Sequence, residues 1–230
     1  MTATSLTIDI WSDVMCPWCI IGYKQLETAL AGLEGEIAAE IRWRPFELNP
    51  DMPPEGEDSA EHVQRKYGRT PEQAAAGRAQ MAQIAERAGY SFAWTGEGDP
   101  PPPRLRNSFL AHKLLAHTLR AHGAEAQTRL KLALFDAHFQ QRRDVSDRAE
   151  LAAIYAEAGL PRHEAEIAFD DPVLADLVRG EEAQAWEMNI SGVPAMVVEG
   201  KYLISGAQEP ARYAAALRRI AERSAVEAGG

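Results

Sequence analysis

Two cysteines, Cys16 and Cys19, are the side chains of this sequence best suited to covalent chemistry, and only two residues separate them. A thiolate can attack a disulfide sulfur, and a second thiol close by can then release the mixed disulfide that forms. A framework of several structural disulfides is excluded, because the chain has no other cysteine. Closing so short a loop would stabilise the fold by only about 2 kcal/mol in the loop-entropy account. The spacing therefore favours redox chemistry over a structural staple.

Zinc binding is the other chemistry that a Cys-x-x-Cys pair can support. Structural zinc takes four ligands, yet the chain has no second cysteine pair and no histidine at ligand spacing from the first. Three of the six histidines, His112, His117 and His122, recur every five residues. That spacing spreads them around a helix, so we assign them no chemistry. No metal ligand is predicted.

The cysteines are predicted to lie where a strand passes into a helix. Residues 6–11 alternate large apolar side chains with other residues, which is the period of a strand. After the pair, helical spacing relates four apolar residues, Tyr23, Leu26, Leu30 and Leu33. Residues 40–48 form a second predicted strand, in which Pro45 indicates an edge, a bulge or the strand end. Together these elements predict a βαβ unit.

This position predicts different roles for the two thiols. Cys16 falls at the N-cap of the helix, and Pro17 falls at the first helical position, where proline is well tolerated. An N-cap side chain accepts hydrogen bonds from the N–H groups two and three residues on, here those of Trp18 and Cys19. These donors and the helix dipole are expected to lower the pKa of Cys16. Cys16 is therefore predicted to attack, and Cys19 to resolve the mixed disulfide.

A long helical segment is predicted to interrupt the strands. Residues 53–170 contain no convincing strand pattern, and a capping box with proline at the first helical position occupies residues 70–73. Gly123 separates two predicted helices in this segment. We divide the chain into residues 1–52 and 171–230, the two parts of one α/β domain, and residues 53–170, an inserted helical domain.

Strands return after Gly192-Val193-Pro194, with a hairpin formed by residues 195–198 and 202–205. A proline at the entrance of a strand has two explanations, a simple strand-edge position or a cis peptide bond. A cis bond would turn the Val193 backbone outward, where it could pair with an extended peptide.

Composition limits the partners and the location. The 24 basic and 34 acidic residues give a net charge of −10, which argues against a nucleic-acid or anionic-membrane partner. No apolar run approaches the ~20 residues of a membrane helix. The first eleven residues lack the basic start of a secretory signal, so a cytoplasmic location is expected.

Nearly the whole chain, to about residue 222, resembles the DsbA-like group of the thioredoxin superfamily, and within it the FrnE-like proteins. The matching stretches are IDIWSD (8–13), CPWC (16–19), IIG (20–22), RPFELNP (44–50), NSFLAH (107–112), LFDAHF (134–139), GVP (192–194) and ISGAQ (204–208). Some FrnE-like proteins carry further cysteines toward the C-terminus. This chain has none, which excludes an internal cysteine relay.

The resemblance implies an α/β thioredoxin fold split by a large all-helical insertion. It implies a dithiol–disulfide oxidoreductase or isomerase in which Cys16 is the nucleophile, Cys19 the resolving cysteine and Pro194 a cis-proline. Pro17, Trp18, Val193 and Pro194 are expected to bind substrate, although packing on the helix start is the alternative for Trp18. Expected partners are disulfide-containing proteins, small thiols and a cellular dithiol reductant. No resident cofactor is expected, with glutathione as a candidate redox partner.

Two other functions stay open. Kappa-class glutathione transferases and hydroxychromene-carboxylate isomerases resemble this architecture, but they usually carry serine where this chain has Cys16. A non-catalytic module that binds a partner through the helical segment is the third hypothesis.

Thioredoxins also use a buried acid beneath the resolving cysteine. Asp9 and Asp13 are nearest in sequence, but neither has the usual spacing, so a cap or surface role is expected for both.

Overall fold

The computed structural model describes residues 3–228, with side chains as far as residue 224. The elements, in chain order, are β1 (Thr4–Ser12), α1 (Pro17–Ala31), β2 (Ile37–Pro45), β3 (Glu57–Asp58), α2 (Ser59–Tyr67), α3 (Pro71–Arg87), β4 (Arg104–Leu105), α4 (Phe109–Phe139), α5 (Arg148–Glu157), α6 (Arg162–Asp170), α7 (Pro172–Glu187), β5 (Ala195–Val198), β6 (Tyr202–Ser205) and α8 (Pro210–Ala228).

The central sheet has the strand order β2-β1-β5-β6. β1 and β2 are parallel and joined by α1, which confirms the predicted βαβ unit, and the other two pairings are antiparallel. In the middle of the sheet, Ile10 lies opposite Trp43 on one side and Met196 on the other. Pro45 is the last residue of β2, and β2 is an edge strand of this sheet. A proline has no N–H to donate, and it is tolerated at such a position because no inner strand depends on that hydrogen bond. The buried first strand thus leads the chain directly to Cys16.

Two helices cover one face of this sheet. Cys19, Ile20 and Leu26 of α1 are buried in a cluster that also contains Tyr213 and Leu217 of α8. These are apolar positions at helical spacing, so the same periodicity that forms the helices also fixes the faces they bury. The C-terminal helix α8 begins at Pro210, and proline is well tolerated at the first helical position.

Helix α4 joins the helical segment to the sheet. Gly123 adopts φ 83° and ψ 179°, which interrupts the helix and confirms the predicted separation into two halves. The second half packs on the sheet, because Phe135 belongs to the same buried cluster as Trp43 and their rings lie 6.1 Å apart, edge to face. The helical segment therefore contributes side chains beneath the strand-to-helix turn. The boundaries at residues 52 and 170 stay a prediction.

Local capping signals also determine where the outer helices begin. Thr70 Oγ1 accepts the Gln73 N–H at 3.3 Å and Gln73 Oε1 accepts the Thr70 N–H at 3.0 Å, so the predicted capping box is confirmed. Helix α2, capped by Asp58, was not predicted, because its composition is largely polar. The prediction of no strand between residues 53 and 170 is wrong in one detail. β3 and β4 pair there, but two-residue strands are too short to show a period.

A buried histidine at the end of α4 predicts a pH dependence of stability. Burial and the charge of Arg142 lower the pKa of His138 to about 4; Arg106 acts in the same direction, and Asp13 and Asp144 oppose it. Between pH 6.5 and 4 the unfolded chain therefore binds a proton that the folded chain does not, so acid destabilises the fold. We expect His138→Gln to be less acid-sensitive, with its stability relative to wild type rising by up to roughly 3 kcal/mol across this window. Urea unfolding of both proteins at several pH values measures it. A difference that does not vary with pH would contradict a neutral buried histidine.

Candidate redox site

The strand-to-helix turn places both thiols beneath the protein surface. Cys16 is the N-cap of α1, with extended backbone angles of φ −93° and ψ 110°, and Pro17 follows at the first helical position, as predicted. The Cys19 N–H donates to the Cys16 carbonyl at 3.1 Å, and the Cys16 N–H donates to the Asp13 carbonyl at 3.2 Å. Both thiols are free, with Cys16 3% and Cys19 0% exposed. The outer thiol is therefore the one that a substrate reaches first.

The Cys16 thiol faces the loop before β5 rather than the N–H groups of its own helix. Its sulfur lies 3.6 Å from the Val193 carbonyl oxygen, to which the thiol can donate, and accepts no capping hydrogen bond. The predicted capping bonds from the Trp18 and Cys19 N–H groups are therefore not formed in the reduced protein, although the Cys19 N–H still acts on the sulfur and lowers the pKa of Cys16. The physical reason is that a protonated thiol is a donor, and a carbonyl oxygen lies within its reach.

The Val193–Pro194 peptide bond is cis, as the resemblance implies, and it lies beside Cys16. Pro194 immediately precedes β5, and its carbonyl accepts the Gly206 N–H at 2.8 Å, which ties the loop to the end of β6. Gly22 of α1 lets the helix approach this loop, since a Cβ there would lie 3.1 Å from Pro194 Cγ. The redox pair and the loop before β5, 177 residues apart in the chain, thus form one site.

The two thiols of the reduced pair are coupled, and their pKa values shift in opposite directions. The hydrogen bond with Cys19, burial and the Cys19 charge raise the pKa of Cys16. Burial would also raise the pKa of Cys19, but the hydrogen bonds with Cys16 and Ser12 and the charge of Lys131 lower it overall. These directions oppose the expectation that Cys16 has the lower pKa, which stays a prediction; the sequence did not place the Lys131 cation, whose charge favours the Cys19 thiolate. Two thiols coupled in this way titrate as a pair.

Lys131, from the second half of α4, is the cation beneath the pair. It is 0% exposed, donates to the Ser12 carbonyl at 3.4 Å, and lies over the rings of Trp43 at 5.3 Å and Phe135 at 4.9 Å. Burial lowers the pKa of Lys131 to about 8, although the negative charge of Cys19 and, to a smaller extent, of Asp13 and Cys16 favours its protonated form. A buried ammonium needs a compensating charge, and here the largest contribution comes from the redox pair.

Asp13 is buried beside the pair, whereas a cap or surface role was expected for both candidate acids. Its Oδ1 accepts the Met15 N–H at 3.1 Å and its Oδ2 accepts the Leu48 N–H at 2.7 Å. Burial would raise the pKa of Asp13, but His112 and these two N–H groups lower it overall. Asp13 thus caps its loop as expected, but inside the protein. Asp9 instead forms an ion pair with Arg44 at 2.7 Å, so it is not the acid beside the redox pair.

The other predicted site residues surround the exposed side of Cys16. Trp18 is 40% exposed, Pro17 is half-buried and Pro194 is buried. A cavity of about 220 Å³, lined in part by Val193, Pro194 and Leu203, opens along the end of β5. That these residues bind substrate stays a prediction.

The sequence profile of the DSBA-like thioredoxin domain matches residues 7–218, which include the redox pair, the helical segment and the loop before β5. The chain belongs to that family. As a DSBA-like protein it has the mixed sheet, the numerous helices and the paired thiols that support an oxidoreductase. The predicted thioredoxin fold with a helical insertion is confirmed.

Solved structures with related folds include enzymes of two kinds. This DSBA-like chain is 29% identical to a probable DsbA oxidoreductase, SCO1869 from Streptomyces coelicolor, with a TM-score of 0.81 over 93% of this chain and 89% of that one. It is 18% identical to the cytosolic disulfide reductase DsbM from Pseudomonas aeruginosa, solved with GSH, with a TM-score of 0.60 over 93% and 98% of the two chains. It is 14% identical to 2-hydroxychromene-2-carboxylate isomerase, with a TM-score of 0.66 over 95% and 98%. The last two likenesses concern the fold alone.

The helices of this DSBA-like chain also bear on membrane insertion. Among the described residues, no helix combines the length and the apolar character needed to cross a bilayer.

Proposed function

We propose that this protein is a dithiol–disulfide oxidoreductase of the FrnE-like group that exchanges disulfides through Cys16 and Cys19. The observation that carries the proposal is the position of the Cys16 sulfur, at a helix N-terminus and 3.6 Å from the carbonyl of the residue before Pro194. A second thiol lies one helical turn away. The site thus combines a nucleophile, a resolving group and a backbone surface for the substrate chain.

In the proposed reaction, Cys16 attacks one sulfur of a substrate disulfide while its proton passes to the Cys19 thiolate. The substrate S–S bond breaks, a Cys16–substrate disulfide forms, and the first substrate sulfur leaves as a thiolate. Cys19 then gives a proton to that thiolate and attacks the Cys16 sulfur. The second substrate sulfur leaves and takes a proton from the medium. The substrate gains two electrons and two protons, and the protein pair becomes a disulfide. Run in reverse, the same steps oxidise a substrate dithiol.

The surroundings of Cys16, the net charge of the chain and a similar protein support disulfide-containing proteins and small thiols as substrates. The half-buried Val193 backbone and the exposed Trp18 flank Cys16, where an extended peptide could lie along the end of β5. A net charge of −10 disfavours nucleic acids and anionic membranes. A cytoplasmic location is part of the proposal, in which a cellular dithiol reductant regenerates the reduced pair; the similar DsbM is a cytosolic disulfide reductase.

Equilibration with glutathione buffers of graded composition tests this proposal. We expect one two-electron transition between dithiol and intramolecular disulfide, with a midpoint between roughly −270 and −120 mV. Acid quenching, alkylation and intact-mass measurement report the redox state. Cys16→Ser and Cys19→Ser, which cannot close the ring, serve as controls. A pair that forms only stable glutathione adducts and never the internal disulfide would contradict the proposal.

A glutathione-dependent isomerase or transferase is the second candidate, and the fold shared with 2-hydroxychromene-2-carboxylate isomerase favours it. Such an enzyme would activate the glutathione thiol instead of forming its own disulfide. Turnover of a hydroxychromene carboxylate or an electrophilic substrate by Cys19→Ser, with glutathione present and no disulfide substrate, would support this alternative.

A further inference from the structure

Three metal-binding side chains converge in the helical segment, none of them part of the redox site. His117 and His122 lie in the first half of α4, and Glu164 lies in α6. The Nε2 atoms of the two histidines are 3.4 and 2.6 Å from the same carboxylate oxygen, Glu164 Oε2. The three ligand atoms all lie within 4.8 Å of one another.

This convergence is not a consequence of the histidine spacing. Residues five apart on an α-helix point about 140° from each other, so the sequence indicated diverging side chains. Glu164 reaches α4 from the packed helix α6 and meets both rings, which are inclined at 69° with centroids 6.4 Å apart. The packing of two helices thus assembles what the sequence alone kept apart.

The geometry is close to that of a bound transition-metal ion. Zinc lies about 2.0–2.1 Å from histidine nitrogen and carboxylate oxygen, so two ligands of a tetrahedral site are about 3.4 Å apart. The separation of His117 Nε2 and Glu164 Oε2 already has that value. The His122 contact of 2.6 Å is a hydrogen bond, and it must lengthen by less than about 1 Å for an ion to enter. The side chains of His117, Glu164 and His122 are 21%, 23% and 28% exposed, which leaves room for this adjustment and for water as a further ligand.

A fourth group holds the carboxylate in place. The Tyr155 hydroxyl of α5 lies 3.3 Å from the same Glu164 oxygen and donates to it. Partners of this kind orient the ligands of a metal ion and are part of a formed site.

We propose that His117, His122 and Glu164 bind a divalent transition-metal ion, with Zn²⁺ the best suited and water completing its coordination. Two imidazoles and one carboxylate fit zinc and its neighbours in the first row, whereas Mg²⁺ and Ca²⁺ prefer oxygen ligands alone. The ion would lie between the two imidazole nitrogens and the Glu164 carboxylate and would link α4 to α6.

The reduced redox pair could itself take up zinc, so the test removes that competition. Zn²⁺ is titrated calorimetrically into the full chain carrying Cys16→Ser and Cys19→Ser, without an affinity tag. We expect one ion per chain with micromolar or tighter affinity, and a higher melting temperature in its presence. Co²⁺ should give visible ligand-field absorption without a thiolate charge-transfer band.

Single substitutions in the same background assign the site. His117→Ala, His122→Ala and Glu164→Gln should each weaken Zn²⁺ binding at least tenfold, while each variant keeps the native circular dichroism spectrum. His163→Ala is the matched control, because His163 is exposed on α6 beside Glu164 and lies outside the cluster. Unchanged binding by that control supports the proposal. Binding no tighter than millimolar, retention of affinity in all three variants, or an equal loss in His163→Ala would overturn it.

Discussion

Replacing Cys19 with serine is expected to convert the protein into a trap for its substrates. Once Cys16 has attacked a substrate disulfide, release requires a second thiolate close by, and the chain has no third cysteine. The mixed disulfide should therefore persist until dithiothreitol is added. Trapping should also begin readily. The hydrogen bond with Cys19 and the charge of Cys19 both raise the pKa of Cys16; serine removes that charge, and its hydroxyl can donate to the Cys16 thiolate.

Non-reducing gels of cell extracts, followed by mass spectrometry, measure this trapping. We expect adducts of many sizes on Cys19→Ser and few on Cys16→Ser, because the remaining Cys19 is 0% exposed. Adducts of glutathione alone would favour the transferase hypothesis. A complete lack of adducts on Cys19→Ser would argue against disulfide exchange as the function.

Iodoacetamide alkylation tests the ionisation of the thiols independently. In the wild-type pair, the hydrogen bond with Cys19 and the charge of Cys19 raise the pKa of Cys16, so its alkylation should need a higher pH than in Cys19→Ser. The measurement is the pH dependence of the alkylation rate at Cys16 in both proteins, read by peptide mapping. A higher pKa for Cys16 in Cys19→Ser than in wild type would contradict the assigned coupling.

The fold and the centre of the site could be predicted because their signals are local. The alternation of residues 6–11, the proline after Cys16 and the capping box at Thr70 each specify a conformation within a few residues. The proline at the entrance of β5 could be noticed in the same way, although the choice of a cis bond came from the family resemblance. Helix α2 and the two-residue strands lacked any such local signal.

The electrostatics of the site could not be predicted, because they depend on residues distant in sequence. A lysine in a helix is normally exposed, and nothing in the neighbourhood of Lys131 shows that the packing of α4 on β2 buries it beneath Cys19. The N-cap position involves only the dipole and donors of α1. The Lys131 cation from the helical segment adds a charge that favours the thiolate form of the inner thiol, Cys19. The convergence of His117, His122 and Glu164 likewise depends on helix packing.

The position of Lys131 predicts that it makes the redox pair more oxidising. In the reduced protein its ammonium faces the Cys19 thiolate, and each stabilises the charge of the other. The disulfide is neutral, so oxidation leaves this ammonium buried without its main compensating charge. The attraction between the charges stabilises the dithiol form, and the uncompensated ammonium destabilises the disulfide form, so both effects favour the dithiol. Lys131→Met keeps the length and apolar stem of the side chain and removes the charge.

Lys113 provides the matched control for this substitution. It is also a buried lysine of α4, but its ammonium donates to the Phe169 carbonyl at 2.8 Å within the helical segment. Lys113→Met therefore removes a buried charge from the same helix without changing the charge beside the thiols. Its redox potential should equal that of wild type, even if its stability changes.

We expect Lys131→Met to lower the redox potential of the pair by at least about 30 mV, which corresponds to a tenfold change in the equilibrium with glutathione. The first pKa of the dithiol should rise by about one unit, because the thiolate loses about 1.4 kcal/mol of stabilisation. Titration against glutathione and the pH dependence of alkylation measure the two effects. The redox potential depends on the free-energy difference between the oxidised and reduced states. If the substitution only damages packing, it destabilises both states equally and leaves the potential unchanged. An unchanged or higher potential in Lys131→Met, or an equal fall in Lys113→Met, would show that the Lys131 charge does not act on the thiols.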